Sequence, residues 1–201
     1  MKRRTVTTVL CAGALAFFAA ARPASAHVAI EGAGDFTAGL IHPFFVLSHL
    51  LVIIGLGLLF AQQPFANTKL AIAAFVATLL GGFAAAALGV AAVFPAESVL
   101  LATAIGIGLL VAWAPPLPRF VAVVLAAAAG TAIGIDSFPE DGAFWPPMAA
   151  ITGTSLSVSL LLINVLAGAG YLTLGWQRIG MRVVGSWIGA CALMVAALAM
   201  R

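Results

Sequence analysis

Charge is what this chain has least of: Asp, Glu, Lys and Arg make up 7% of its 201 residues, against about 25% in an ordinary soluble domain. With 64% hydrophobic residues and a mean hydropathy of +1.19, it has too few polar groups to cover a water-facing globule, so a soluble domain is excluded. Cysteine is almost missing. Cys11 and Cys191 are the only two, and Cys11 falls in a segment that processing removes, so Cys191 reads as a small packing residue rather than half of a disulfide. No run alternates polar and apolar residues over about ten positions, which excludes a membrane β-barrel. Excess positive charge is missing too, despite a pI near 9.4. Four of the nine bases (Lys2, Arg3, Arg4, Arg22) precede the cleavage site, leaving five bases against six acids in the mature chain. Nucleic acid is therefore excluded as a partner.

What is present begins with a secretory signal. Lys2, Arg3 and Arg4 form a positive n-region, Val9 to Ala21 an apolar h-region, and Ala24-Ser25-Ala26 a small-residue cleavage site. The expected organisation is a signal peptide over 1–26 and a transmembrane domain over 27–201, with His27 as the mature N-terminus. Six apolar stretches follow, at about 43–61, 70–94, 98–114, 120–135, 148–175 and 183–200. Each is long enough, or nearly so, to cross about 30 Å of hydrocarbon as a helix. The fold class is thus all-α, a polytopic protein with six transmembrane helices and the lipid bilayer as its surroundings. With the processed N-terminus outside, Lys69, Arg119, Arg178 and Arg182 all fall on inner loops, and Glu31, Asp35, Glu97, Asp136, Glu140 and Asp141 on outer ones, as the positive-inside rule allows. This places the chain in a bacterial inner membrane with both mature termini periplasmic. No charged residue lies at the middle of a span, so the carboxylate relay of many pumps is not expected.

Glycines at Gly55, Gly57, Gly81, Gly82, Gly89, Gly130, Gly134, Gly168 and Gly170 are read as close-packing positions between helices. Trp113, Trp145, Trp176 and Tyr171 lie near span ends as interfacial anchors.

The residues with chemistry to offer are the three histidines, His27, His42 and His49. In His42-Pro43-Phe44-Phe45-Val46-Leu47-Ser48-His49, Pro43 suits the first turn of the first span. Seven residues separate the two imidazoles, which places them on nearly the same helix face but about 10.5 Å apart along the axis. A metal held at about 2.0–2.1 Å from each nitrogen cannot span that gap on a regular helix. Either the helix begins after His42 and that side chain folds inward, or the two histidines are successive stations. His27, if N-terminal, offers amine and imidazole together, a chelate suited to Ni, Cu or Co. In the fifth stretch Thr154, Ser157 and Asn164 share one face and either line a hydrated path or bond to a neighbouring helix. A serine protease lacks its base here, and a bis-histidine haem site lacks a second helix carrying a ligand, so neither an enzyme nor a resident prosthetic group is expected.

At these residues the sequence resembles the HupE/UreJ family of hydrogenase and urease accessory membrane proteins, whose first span carries a pattern like H-P-x-x-G-x-D-H-L-L. Here it reads HPFFVLSHLL, matching at His42, Pro43, His49, Leu50 and Leu51, with Gly57 further along. Val46 stands where the family has Gly, Ser48 where it has Asp, and no histidine follows position 49; Asn164 lies near where a late one is common. The resemblance implies a permease for a divalent metal ion, nickel or cobalt, with His49 and His42 as metal residues; His27 is a third metal candidate through its own chelate, and Ser48, Ser157 and Asn164 are expected to line the path. A homo-oligomer is a further expectation. Competing readings are a non-transporting metal-binding accessory protein, directed to copper through His27, and a channel for a small neutral solute.

Overall fold

A computed structural model of the full chain describes residues 34–138 and 148–199. The signal peptide over 1–26, His27, Glu31, Glu140, Asp141 and Trp145 lie outside the described residues. Those described form seven α-helices: α1 (Asp35–Phe45), α2 (Leu47–Ala61), α3 (Phe65–Ala87), α4 (Ala96–Trp113), α5 (Arg119–Asp136), α6 (Met148–Gly170) and α7 (Gly175–Ala199), with a short 3-10 turn at Val90–Ala92. Continuous runs rich in Ala, Leu and Val leave the backbone no polar side-chain partners, and in lipid the helix is the structure that satisfies every N–H and C=O within one segment. Five of these helices are long and apolar enough to cross a membrane, and α1 with α2 makes a sixth span if that pair, bent by 75°, is counted as one. The protein is a polytopic helical membrane protein.

Helix ends follow local chemistry. Pro64, Pro95 and Pro118 immediately precede α3, α4 and α5, where no helical N–H is asked of them. The second apolar stretch was expected to run to about residue 94, but α3 stops at Ala87 because Gly89 turns left-handed at φ 85°. At the other end of the bundle Ala114 caps α4 at φ 57°, donating its N–H to the Leu110 carbonyl. This is a strained conformation for a residue with a Cβ. The loop after it is clamped: Gln63 donates to the Pro115 carbonyl (3.1 Å) and accepts from the Leu117 N–H (2.9 Å). Gln62 and Arg182 cover the α4 carbonyls of Val111 and Ala112. The last span begins at Gly175 rather than near 183, since Arg178 and Arg182 ride on the exposed face of its first turns.

Helix α2 is the axis, with ten of its fifteen residues buried; α1, α4 and α6 pack on it, while α3 pairs with α5 and α4 with α7. Glycine sets these distances where the chain has it. A Cβ at Gly130 or Gly134 would strike the α3 backbone at Phe75 and Leu79, and one at Gly108 would strike α7 at Gly185 and Gly189. Gly81, Gly89, Gly168 and Gly170 depart from the expected packing role, because nothing lies within 4 Å of a Cβ there. With successive spans antiparallel, Glu97 and Asp136 fall at the end where α2 begins, and Lys69, Arg119, Arg178 and Arg182 at the opposite end, whereas Asp35 opens α1, whose next residue packs beside Gly153 of α6. Exposed Trp113, Tyr171 and Trp176 ring the basic end, as interfacial anchors do.

Candidate metal site

The site is built on a helix that stops and restarts. Of the two geometries expected for the histidines, the first occurs in part: the helix carrying His49 begins after His42, at Leu47, but His42 lies in a helix of its own. Helix α1 begins at Asp35, well before His42, and the break comes between the two histidines at Val46, whose φ −99° and ψ 106° are extended. A β-branched residue is at ease there, so valine is tolerated where the family pattern has glycine. The chain bends by 75°, and the rings of His42 and His49 come to 5.6 Å between centroids instead of the separation of roughly 10 Å along a regular helix.

Pro43 is not in the first helical turn, as expected, but inside α1 near its C-terminus. A proline there removes the bond to the carbonyl four residues back, that of Gly39. The structure supplies another donor: Thr154 Oγ on α6 bonds to the Gly39 carbonyl at 3.1 Å in a buried position. The two helices touch backbone to backbone around that bond. A Cβ at Gly39 would strike the Ala150 carbonyl, and one at Gly153 the Phe36 carbonyl. The Pro43 defect, the Thr154 hydroxyl and two glycines thus dock the half-helix α1 on α6, and this fixes where His42 sits.

His49 is 0% exposed. Its Nε2 lies 2.9 Å from Oδ2 of Asp136, the last residue of α5, whose side chain is 29% exposed. With the carboxylate as acceptor, Nε2 carries the proton and donates it. Nδ1 is then the lone-pair nitrogen, and it is buried with no hydrogen-bond partner. Asp136 was read from the sequence as one more acid of an outer loop. Its membership of the site was missed, and the available signal was that it directly ends an apolar stretch that carries Gly130 and Gly134. Asp136 does not stand at the middle of a span; it reaches His49 from the helix end.

The other expected site residues separate. Ser48 is 7% and Ser157 5% exposed; they lie on α2 and α6, which pack together, and the Ser157 hydroxyl is buried without a partner. Asn164, although seven residues from Ser157, faces outward and donates only to the Leu160 carbonyl of its own helix, at 2.8 Å. Among the described residues no three His, Cys, Asp or Glu side chains are grouped to hold one ion.

The last carbonyls of α1 and α5 end at this site, and a helix C-terminus carries partial negative charge that favours a cation. Below it the core is apolar. Ile53, Leu56, Leu59, Ile107 and Leu162 are buried between His49 and the Gln62–Gln63 clamp.

Comparison with known proteins agrees with the pattern around His42 and His49. No solved structure matches the chain. The protein HupE of Rhizobium leguminosarum bv. viciae is 30% identical over 203 residues, covering 98% of both chains. The HupE / UreJ protein family matches residues 15–198, nearly the whole length, and the chain belongs to that family.

Proposed function

We propose that the protein is a membrane permease for a divalent transition metal, nickel or cobalt, acting as a hydrogenase or urease accessory protein rather than as an enzyme. The observation that carries the reading is the His49 ring: one nitrogen is tied to Asp136 and the other is buried, unbonded and next to His42. A carboxylate behind a histidine fixes its tautomer and raises the basicity of the nitrogen left for a metal. Two imidazoles on one ion, each bonded at about 2.0–2.1 Å, hold their centroids roughly 5 to 6 Å apart at near-tetrahedral angles, and the rings of His42 and His49 lie at 5.6 Å. Carbonyls at the end of a broken half-helix supply oxygen ligands of the sort transporters use for cations. Few protein ligands mean weak binding, which suits a cargo that must leave again.

The test is accumulation of nickel and cobalt by cells expressing the protein. His49→Ala should abolish accumulation at an unchanged amount of folded protein in the membrane, and His42→Ala should reduce it. Normal accumulation with His49→Ala would overturn the reading.

The apolar core below His49 favours a second reading, a metal-binding accessory protein that does not conduct. Liposomes holding the purified protein separate the two: a permease carries nickel to the interior, whereas an accessory protein binds it without flux.

A further inference from the structure

In a bundle of apolar helices, one amide points the wrong way. Asn164 lies six residues from the end of α6 at Gly170, about 9 Å inside it, well within the hydrocarbon, and it is exposed. Its one bond uses one Nδ2 hydrogen, to the Leu160 carbonyl. The second N–H and Oδ1 face lipid, where each unsatisfied polar group costs several kcal/mol.

Why the amide is bare follows from where α1 lies on α6. Asn164 is eleven residues from Gly153 and seven from Ser157, or 1100° and 700° around α6, so all three share one face to within about 20°. At Gly153 and Thr154 that face is covered by α1 through Phe36 and Gly39. The contact runs from Gly39 at Ala150 to Phe36 at Gly153, and α1 begins at Asp35, so α1 does not extend over the half of the face that carries Asn164. Next to Asn164 on the open half lie exposed Ala167 and Gly168, and a Cβ at Gly168 meets nothing within 4 Å.

We propose that this face is the contact between two copies of the chain. Copies inserted with the same topology are related by an axis along the membrane normal, which brings α6 against α6 in parallel with Asn164 at equal depth. The amide is self-complementary. Oδ1 of one copy accepts the free Nδ2 hydrogen of the other, and symmetry returns the bond. Ala167 and Gly168 then let the backbones approach closely enough for that pair to form, as small residues do between membrane helices. The contact asks for no group from outside this chain, and it satisfies the polar atoms the isolated bundle leaves in lipid.

Cysteine cross-linking in membranes tests this, in a Cys11→Ser, Cys191→Ala background. Ala167→Cys should give a disulfide-linked dimer under mild oxidation, whereas Leu193→Cys, exposed on α7, should not. Asn164→Leu should lower the dimer yield about tenfold or more, two reciprocal interhelical bonds being lost. The same change should turn two-step single-molecule photobleaching into one-step. If Asn164→Leu fails to fold, the contrast between positions 167 and 193 decides alone. One-step bleaching of the unaltered chain, equal cross-linking at 193, capture of position 167 only by a different protein, or a dimer indifferent to folded Asn164→Leu would each overturn the proposal. No readout involves metal, so this result and that of the accumulation test stand apart.

Discussion

Replacing Asp136 by asparagine removes the charge at the candidate site and little else. The amide oxygen still accepts from His49 Nε2, so the bond at 2.9 Å keeps its geometry and no buried donor is stranded. Truncation to alanine would instead leave the buried Nε2–H without a partner, at about 1–3 kcal/mol, and would confound folding with function. What Asp136→Asn takes away is the negative charge behind the His49 ring, and loss of such a supporting carboxylate typically costs about 10- to 100-fold in metal affinity. Nickel binding to the purified protein in detergent, followed by calorimetry, should therefore weaken about 10- to 100-fold, with the thermal midpoint nearly unchanged. Glu97→Gln, an exposed acid at the same end of the bundle, is the control for general surface charge and should leave affinity within a factor of two or so, as expected of screened exposed charges. Equal weakening by both variants would reduce Asp136 to one contributor to a diffuse field. Unchanged affinity in Asp136→Asn would refute the argument that the carboxylate tunes His49.

Other outcomes follow from the packing. Thr154→Val keeps the side-chain shape but strands the Gly39 carbonyl opposite Pro43, and should cost about 1–3 kcal/mol in denaturant unfolding from micelles, with metal affinity falling as α1 loosens. Gly134→Ala drives a methyl into the α3 backbone at Leu79 and should destabilise by about 1–3 kcal/mol, whereas Gly81→Ala, with open space around it, should change stability by less than about 0.5 kcal/mol. Ser48→Asp places the family carboxylate beside His49 and should tighten nickel binding in the same calorimetric assay. N-terminal sequencing of mature protein from membranes should begin at His27; retention of Met1 would remove the His27 chelate from consideration.

Much of the architecture was legible because a bilayer leaves few choices. Apolar run length gives most of the helices, and Pro64, Pro95 and Pro118 mark the starts of α3, α4 and α5, but the end of the second stretch and the start of the last were misplaced by about two turns. The failures are specific. The run ending near 94 looked unbroken because Leu88, Val90, Ala91 and Val93 are apolar, yet Gly89 in a left-handed conformation ends the helix irrespective of hydropathy. The equivalence of Ser157 and Asn164 was sound arithmetic on one helix. Periodicity, however, gives the direction of a side chain and not what stands opposite it, and α1 stands opposite only half of that face. Asp136 escaped for a similar reason. Distance from the middle of a span says nothing about which neighbouring helix has a polar group at the same depth.

The break at Val46 shapes the candidate site. A straight helix through His42 and His49 would hold the imidazoles too far apart to share an ion. Bending it by 75° needs a non-helical residue at Val46, a weakened C-terminus of α1 at Pro43 and a substitute donor in Thr154 for the bond that proline removes. All three are present. The same bend brings the start of α2, and with it His49, to the depth at which α5 ends, so a carboxylate at the tip of α5 can reach a ring that is itself wholly buried. A neutral Ser48 where the family pattern has Asp is then compatible with a charged site, since the negative charge arrives from another helix. On the proposed reading, an ion held by His49 lies one hydrogen bond from the anion of Asp136, and its grip on that ion depends on keeping α1, α2, α5 and α6 in register rather than on any single motif.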